Sequence, residues 1–310
     1  MPAVHHFVRF LLLVSLTLLS GGARAIDVVV VLSERGPGYL EATEVMVAEL
    51  GRAGLTVSDT DVRSANSLAT ALAQQTPRVI VTLGYESLRQ VLEARPRVPV
   101  LAALIPRSGF ERLLRDHAST RPAVAALYLD QPIGRQMDVI RLAFGAGHRV
   151  AVLLGPESSW QRSLLTASAG AQGFSLQLAE VGASQTVAHA LADVLDGADV
   201  LLALPDTQVY NATTVGNVLM SSYRARVPVL AFSPAYVRAG ATLSLHSTPV
   251  QVGQQVALMV RQHLQAGAVL TNQYPADFAI TVNERVARSL DLDLNAAMLT
   301  EQLKRLAKKP

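Results

Sequence analysis

The chain has 310 residues, half of them hydrophobic, with a formal charge of +3 and no cysteine. Without cysteine there can be no disulfide, thiolate metal site or cysteine nucleophile. So small a charge gives no ground for a nucleic-acid-binding surface.

Met1–Ala25 reads as an export signal. His5, His6 and Arg9 precede an apolar run, Phe10–Leu19, that is too short to span a bilayer. Ala23-Arg24-Ala25 then puts small residues at −3 and −1 of a cleavage site. The mature chain is expected to start at Ile26 and, with Arg9 and Arg24 gone, to carry +1. No cysteine stands at the cleavage site for a lipid anchor, so the expected location is the periplasm. What remains is long enough for two domains of ordinary size.

From Ile26 onward, strand and helix patterns alternate. Ile26–Leu32 is a β-branched run suited to a strand buried on both faces. The loop Ser33–Gly38 leads into a helix over Tyr39–Ala53; its Gly36-x-Gly38 lacks the third glycine of a dinucleotide fingerprint. Strands follow at Leu55–Val62, Val79–Leu83, Val98–Leu104 and Val124–Leu129, with helices at Leu68–Ala73, Ser87–Ala94 and Phe110–His117 between them. Asp130-Gln131-Pro132 marks a crossing into a second lobe. There, Ile133–Phe144 is helical, Val150–Leu154 a strand, and Gly155–Ser159 leads into a helix through Ala169. Phe174–Val181 and Val200–Leu204 are strands around a helix at Val187–Leu195, and Val209–Tyr223 is the next helix. Val227–Phe232 closes the unit, a second crossing falls at Ser233–Tyr236, and a short strand, Ala241–Leu245, returns to the first lobe. Pro249–Gln265 is helical, and Phe278–Val282 is a last strand at the third crossing. Asn283 caps Glu284–Leu290, and a final helix carries the basic tail Lys304, Arg305, Lys308 and Lys309, read as a solvated end.

One unit is written twice. Val79–Leu83, a loop, a helix and RPRVPVLA (95–102) match Val200–Leu204, a loop, a longer helix and RARVPVLA (224–231). This predicts an α/β protein of two doubly wound parallel-sheet lobes joined by three crossings. The expected division is 26–129 plus 238–280 for one lobe and 130–237 plus 281–310 for the other.

In such sheets ligands bind beyond the carboxyl ends of the strands. The strand-end loops put Ser33, Glu34, Gly84, Tyr85, Glu86, Ser87 and Pro106 opposite Gly155, Glu157, Ser158, Asp206, Thr207 and Ser233, with Phe232 and Tyr236 as apolar walls. Helix starts there suit a carboxylate, and acidic side chains suit an amine or hydroxyls. Ser158 and Thr207 serve equally well as N-caps, which leaves Asp206 free for a ligand. Tyr128 reads as core, and Trp160 as core or, in the alternative, as a wall or stacking ring. No G-x-S-x-G elbow, P-loop or H-E-x-x-H is present, and histidines 117, 148, 189, 246 and 263 lack metal-ligand spacing. No catalytic residue, metal or cofactor is expected.

Pro205-Asp206, the run from Pro228 to Ala241 and the ending ITVNERVARSLDLDL from Ile280 together resemble the periplasmic substrate-binding proteins of ABC transporters. More narrowly, the chain resembles the tryptophan/tyrosine-type family, with its type I periplasmic-binding fold. The resemblance implies a hinged two-lobe protein that closes on a small molecule; a monomer is the default expectation. Its partner is an inner-membrane ABC permease or, in the alternative, a sensor such as a histidine kinase or chemoreceptor. It also implies that Asp206 is a ligand contact and that the hinge lies near Asp130, Ser233 and Thr281. Where the family commonly reads G-T-P-A to hold a ligand carboxylate, this chain has Gly84-Tyr85-Glu86-Ser87. A bulky ring and a negative charge there suit an amine or another small polar solute as well as an amino acid.

Overall fold

The computed structural model describes residues 26–61, 65–118, 122–182 and 185–307; the export segment and Lys308–Lys309 lie outside them. Five strands, β1 (Val28–Leu32), β2 (Val57–Asp61), β3 (Val79–Leu83), β4 (Val100–Ile105) and β5 (Val124–Tyr128), form a parallel sheet in the order β2-β1-β3-β4-β5. All of β1 and β3 is buried, as their β-branched runs require of strands covered on both faces. The connecting helices are α1 (Pro37–Arg52), α2 (Ala65–Gln75), α3 (Tyr85–Ala94) and α4 (Arg107–Asp116).

The second sheet contains β6 (Arg149–Leu154), β7 (Ser175–Glu180), β8 (Val200–Leu202), β9 (Val229–Ala231), β10 (Leu243–His246) and β11 (Ala279–Val282). Its order is β11-β10-β9-β8-β6-β7, with only β11 antiparallel to its neighbour. Without β11 this order repeats that of the first sheet. The octapeptides RPRVPVLA and RARVPVLA lead into β4 and β9, the fourth strand of each sheet, so the sequence repeat is a topological one. The remaining helices are α5 (Ile133–Phe144), α6 (Arg162–Ala171), α7 (Val187–Leu195), α8 (Val215–Arg224), α9 (Pro234–Ala239), α10 (Pro249–Ala266), α11 (Glu284–Ser289) and α12 (Ala296–Ala307). No helix among the described residues is long and apolar enough to cross a membrane.

The structure corrects three expectations. The helix after β8 is not the longer of the pair: α3 and α8 each have 10 residues, and 206–214 is a series of turns. Side chains there compete for the backbone: Asn211 Oδ1 accepts from Thr213 N (2.9 Å) and Thr214 N (3.2 Å), and Thr214 Oγ1 donates to the Val209 carbonyl (2.7 Å). Second, the strand 243–246 does not return to the first lobe. It pairs with β9 and β11, so the chain leaves the second lobe only after His246. Third, Phe278 and Ile280, placed in the first lobe by the expected division, belong to the second core, while α10 of the same segment packs in the first lobe's core through Val252, Val256 and Val260. The crossings therefore fall at 129–132, 247–248 and 275–277, not at Ser233 or Thr281. Gly253 sets the seat of α10: a Cβ there would lie 2.4 Å from the Ala42 carbonyl oxygen of α1.

Hydrogen bonds knit the crossings together. Gln131 Nε2 donates to Ser247 Oγ (2.9 Å), whose hydroxyl donates to the Asp277 carbonyl (2.8 Å). Arg135 donates to Gln131 Oε1 (2.7 Å) and to the Pro275 carbonyl (2.8 Å). Lys304, expected in a solvated tail, instead pairs with Asp277 at 2.8 Å.

Candidate functional site

The strand ends of the first lobe are tied mainly to each other. Ser33 Oγ accepts from Ser87 N (2.9 Å) and donates to Ser87 Oγ (3.2 Å); the fully buried Ser87 hydroxyl also donates to the Leu83 carbonyl (2.8 Å). This clasp needs glycine at position 84. Its φ is +96°, and a Cβ would sit 2.6 Å from Ser33 Oγ. Glu86 turns along its own helix to Arg89 and Gln90 and does not reach the cleft. Tyr85 lies under the Arg112 guanidinium, 5.3 Å from ring to Cζ. Ser33, Gly84, Glu86 and Ser87 thus shape the rim of the lobe and do not line its chamber.

Asp206 is likewise committed within its own lobe. It is only 3% exposed, and its Oδ2 accepts from Glu157 N (2.9 Å), Ser158 N (3.0 Å) and Ser158 Oγ (2.9 Å). Its Oδ1 accepts from Gln208 N (3.0 Å). Gly155 passes so close that a Cβ there would lie 2.5 Å from both carboxylate oxygens. The carboxylate expected to read a ligand pins the loop after β6 to the loop after β8.

Two contacts join the lobes beside this knot. Arg112 pairs with Glu157 at 2.7 Å, and the Arg107 guanidinium lies 4.3 Å from the centre of the Trp160 ring. Trp160 was expected in the core or as a wall ring; it is the only tryptophan and stands at the lobe–lobe contact. Burial opposes ionisation of Glu157, but the Thr207 amide (3.1 Å) and Arg112 outweigh it and hold its carboxyl below the ordinary value. A lowered carboxyl stabilises the fold fully above its unfolded value, near 4.5, and loses that contribution as the pH falls through the folded value. Because Arg112 is nearly half exposed, Arg112→Ala should cost less than about 1 kcal/mol at neutral pH. That difference from the parent, measured by urea unfolding, should shrink as the pH is taken below 4.5.

The chamber itself is a cavity of about 540 Å³ between the lobes. Leu104, Pro106 and Leu129 line it from the first lobe, and Pro205, Phe232, Pro234 and Leu245 from the second. The crossings contribute Asp130, Gln131, Ser247 and Thr248, while Gln136, Ser233, His246 and Pro249 complete the wall. A smaller hollow of about 260 Å³ shares Leu104, Leu129 and Pro249 with it and carries Glu34 and Tyr39 on its outer side. Of the residues expected in the site, Pro106, Phe232 and Ser233 line the chamber and Glu34 the hollow. Tyr236 supports Phe232 from behind, at 4.7 Å between ring centres. Gly155, Glu157, Ser158, Asp206 and Thr207 form the knot and latch beside it.

The sequence reading missed the crossing residues: it reads Asp130-Gln131-Pro132 only as a crossing and gives 247–248 no role. Asp130 Oδ2 accepts from Arg107 N (2.6 Å), and burial pushes its carboxyl above the ordinary range. Burial lowers His246 below its ordinary value, which leaves the ring neutral at pH 7; its Nδ1 lies 3.2 Å from Ser244 Oγ. Among the described residues, no group of His, Cys, Asp and Glu could hold a metal.

A chamber bounded by strand ends of two doubly wound lobes and by two of the segments joining them, 129–132 and 247–248, is that of the type I periplasmic-binding fold. The chain belongs to the ABC transporter substrate binding protein family, whose model matches residues 43–305. No curated protein matches it. Among solved structures it is similar to a substrate binding protein with adhesive properties from Clostridium difficile, in its ligand-free, open form. The TM-score is 0.68 at 15% identity, covering 87% of this chain and 96% of the other. A conserved domain protein from Vibrio cholerae gives 0.60 at 20% identity over 89% and 98% of the two chains. An ABC domain from Streptococcus pneumonia in complex with L-Trp gives 0.57 at 16% identity over 89% and 98%.

Proposed function

We propose that this chain is an exported solute receptor that captures a small molecule between its lobes in the periplasm and presents it to an inner-membrane ABC permease. The observation that carries this reading is the chamber. Its volume of about 540 Å³ is that of a small-molecule site, and its walls come from both lobes and from the segments about which they would move. Family membership supports delivery to a permease, and the Ala23-Arg24-Ala25 site supports export. The strand-end chemistry is spent on holding loops, so the chain acts by binding and closing, not by catalysis. The walls are more apolar than the small polar solute expected from the sequence would need, and the proposed ligand has a substantial apolar part.

The test is a thermal-unfolding screen of residues 26–310 against amino acids, amines, nucleobases and small sugars. A ligand that binds only the native state adds about 2.7 kcal/mol of stability at a hundredfold excess over Kd. At least one compound should raise the midpoint in a saturable way. A screen in which none does would count against the receptor reading.

A further inference from the structure

We propose that the chamber selects a cation of one kind, a protonated amine on an apolar body, with the Asp130 carboxylate as its counter-charge. The inference rests on reading the chamber as the solute site and deepens it to a ligand class. It starts from which wall groups remain available to a ligand.

Most of the polar side chains facing the chamber are already engaged. Both ends of the Gln131 amide are used, by Ser247 and Arg135, and the Ser247 hydroxyl donates to Asp277. Gln136 donates to the Gln131 carbonyl at 2.8 Å. Ser233 and Thr248 cap their helices, accepting from Ala235 N (3.1 Å) and Gln251 N (3.2 Å). A sugar, which needs many donors and acceptors around its rim, would find few free.

An anion fares worse. Three helices start at the chamber wall, at Arg107, Pro234 and Pro249. The two prolines have no N–H, the Arg107 N–H is taken by Asp130, and Ser233 and Thr248 hold the Ala235 and Gln251 amides, which leaves an anion few helix-start donors. Among the described residues, no lysine or arginine lines the chamber. Arg107 lies just outside it, paired with Glu111 (2.7 Å) and stacked on Trp160.

Asp130 and a neutral His246 remain as the reading groups. A carboxylate offers about four acceptor sites, and the Arg107 amide at Oδ2 and Asp130's own backbone N–H account for two. The nearby cation, Arg107, is shared with Glu111, and a bound ammonium would supply a counter-charge inside the chamber and the donors to fill the free sites of the carboxylate. Leu104, Leu129, Leu245 and the Phe232 ring would cover the apolar body. Glu34, in the adjoining hollow, makes the outer side of the cleft acidic as well.

The experiment is calorimetric titration of the 26–310 chain with matched compounds on one skeleton: 2-phenylethylamine, 2-phenylethanol and 3-phenylpropionate. An n-alkyl series, hexylamine, hexanol and hexanoate, runs in parallel. In at least one series the amine should bind at least about tenfold tighter than the alcohol, as a charge-assisted hydrogen bond allows, and the acid should show no saturable heat. Asp130→Asn, which keeps an acceptor for the Arg107 amide, should weaken the amine about tenfold or more and leave the alcohol unchanged. If Asp130→Asn fails to fold, the ranking on the parent chain decides. An acid that binds as well as its amine, an amine indifferent to Asp130→Asn, or amines that do not bind at all would each overturn the assignment. Binding of the acid or the alcohol would still leave the chamber a solute site. Only the broader screen, if empty, removes that reading too.

Discussion

Asp206→Ala is expected to destabilise the protein by about 3–5 kcal/mol, a far larger effect than removing a ligand contact would have on the fold. The substitution leaves Glu157 N, Ser158 N, Ser158 Oγ and Gln208 N without their shared acceptor, three of them in or beside a buried loop. A buried donor left without a partner costs about 1–3 kcal/mol, and more when the lost partner was charged. Gly155→Ala makes the same point from the other side, since its new Cβ would overlap the carboxylate and push it from its donors. Urea unfolding should place both variants well below the parent. An Asp206→Ala protein as stable as the parent, but unable to bind, would restore Asp206 to the ligand site.

The second large effect concerns the chamber. Leu129 borders both the main chamber and the outer hollow, and it is 39% exposed. Leu129→Trp puts a bulky ring into the shared space without displacing core packing. Affinity for any ligand that stabilises the parent should fall more than about a hundredfold, while stability changes by no more than about 0.5 kcal/mol, as for an exposed position. Calorimetry on the variant provides the first number and urea unfolding the second. Retained affinity would place the ligand elsewhere.

The sequence revealed the layered fold more fully than the site, and the reasons are physical. Apolar β-branched runs such as VVVVL and VIVTL have few ways to be buried except as central parallel strands. RPRVPVLA and RARVPVLA mark equivalent strands because both perform the same packing task. Which sheet a short strand joins is another matter: Leu243–His246 carries no local signal that its partners are β9 and β11. The turns at 206–214 stayed hidden for a related reason. Val209 and Tyr210 are buried as a helix face would be, while Asn211 and Thr214 divert the backbone through hydrogen bonds that periodicity does not register. At the site, residue type pointed to Asp206 and Glu86, acidic groups at strand ends. Their commitment to Ser158 and to Arg89 is visible only in three dimensions. The chamber residues Asp130 and Gln131 came from a segment read as a crossing, and His246, at the end of β10, was weighed only for metal-ligand spacing. The connections are part of the binding wall.

Trp160 offers the most direct test of capture between the lobes. It is the only tryptophan, it belongs to the second lobe, and its ring is covered by Arg107 of the first. A non-fluorescent compound that stabilises the 26–310 chain should shift the Trp160 emission saturably, with the same Kd that calorimetry gives. A ligand that binds tightly by calorimetry and leaves the emission unchanged at saturation would contradict capture between the lobes.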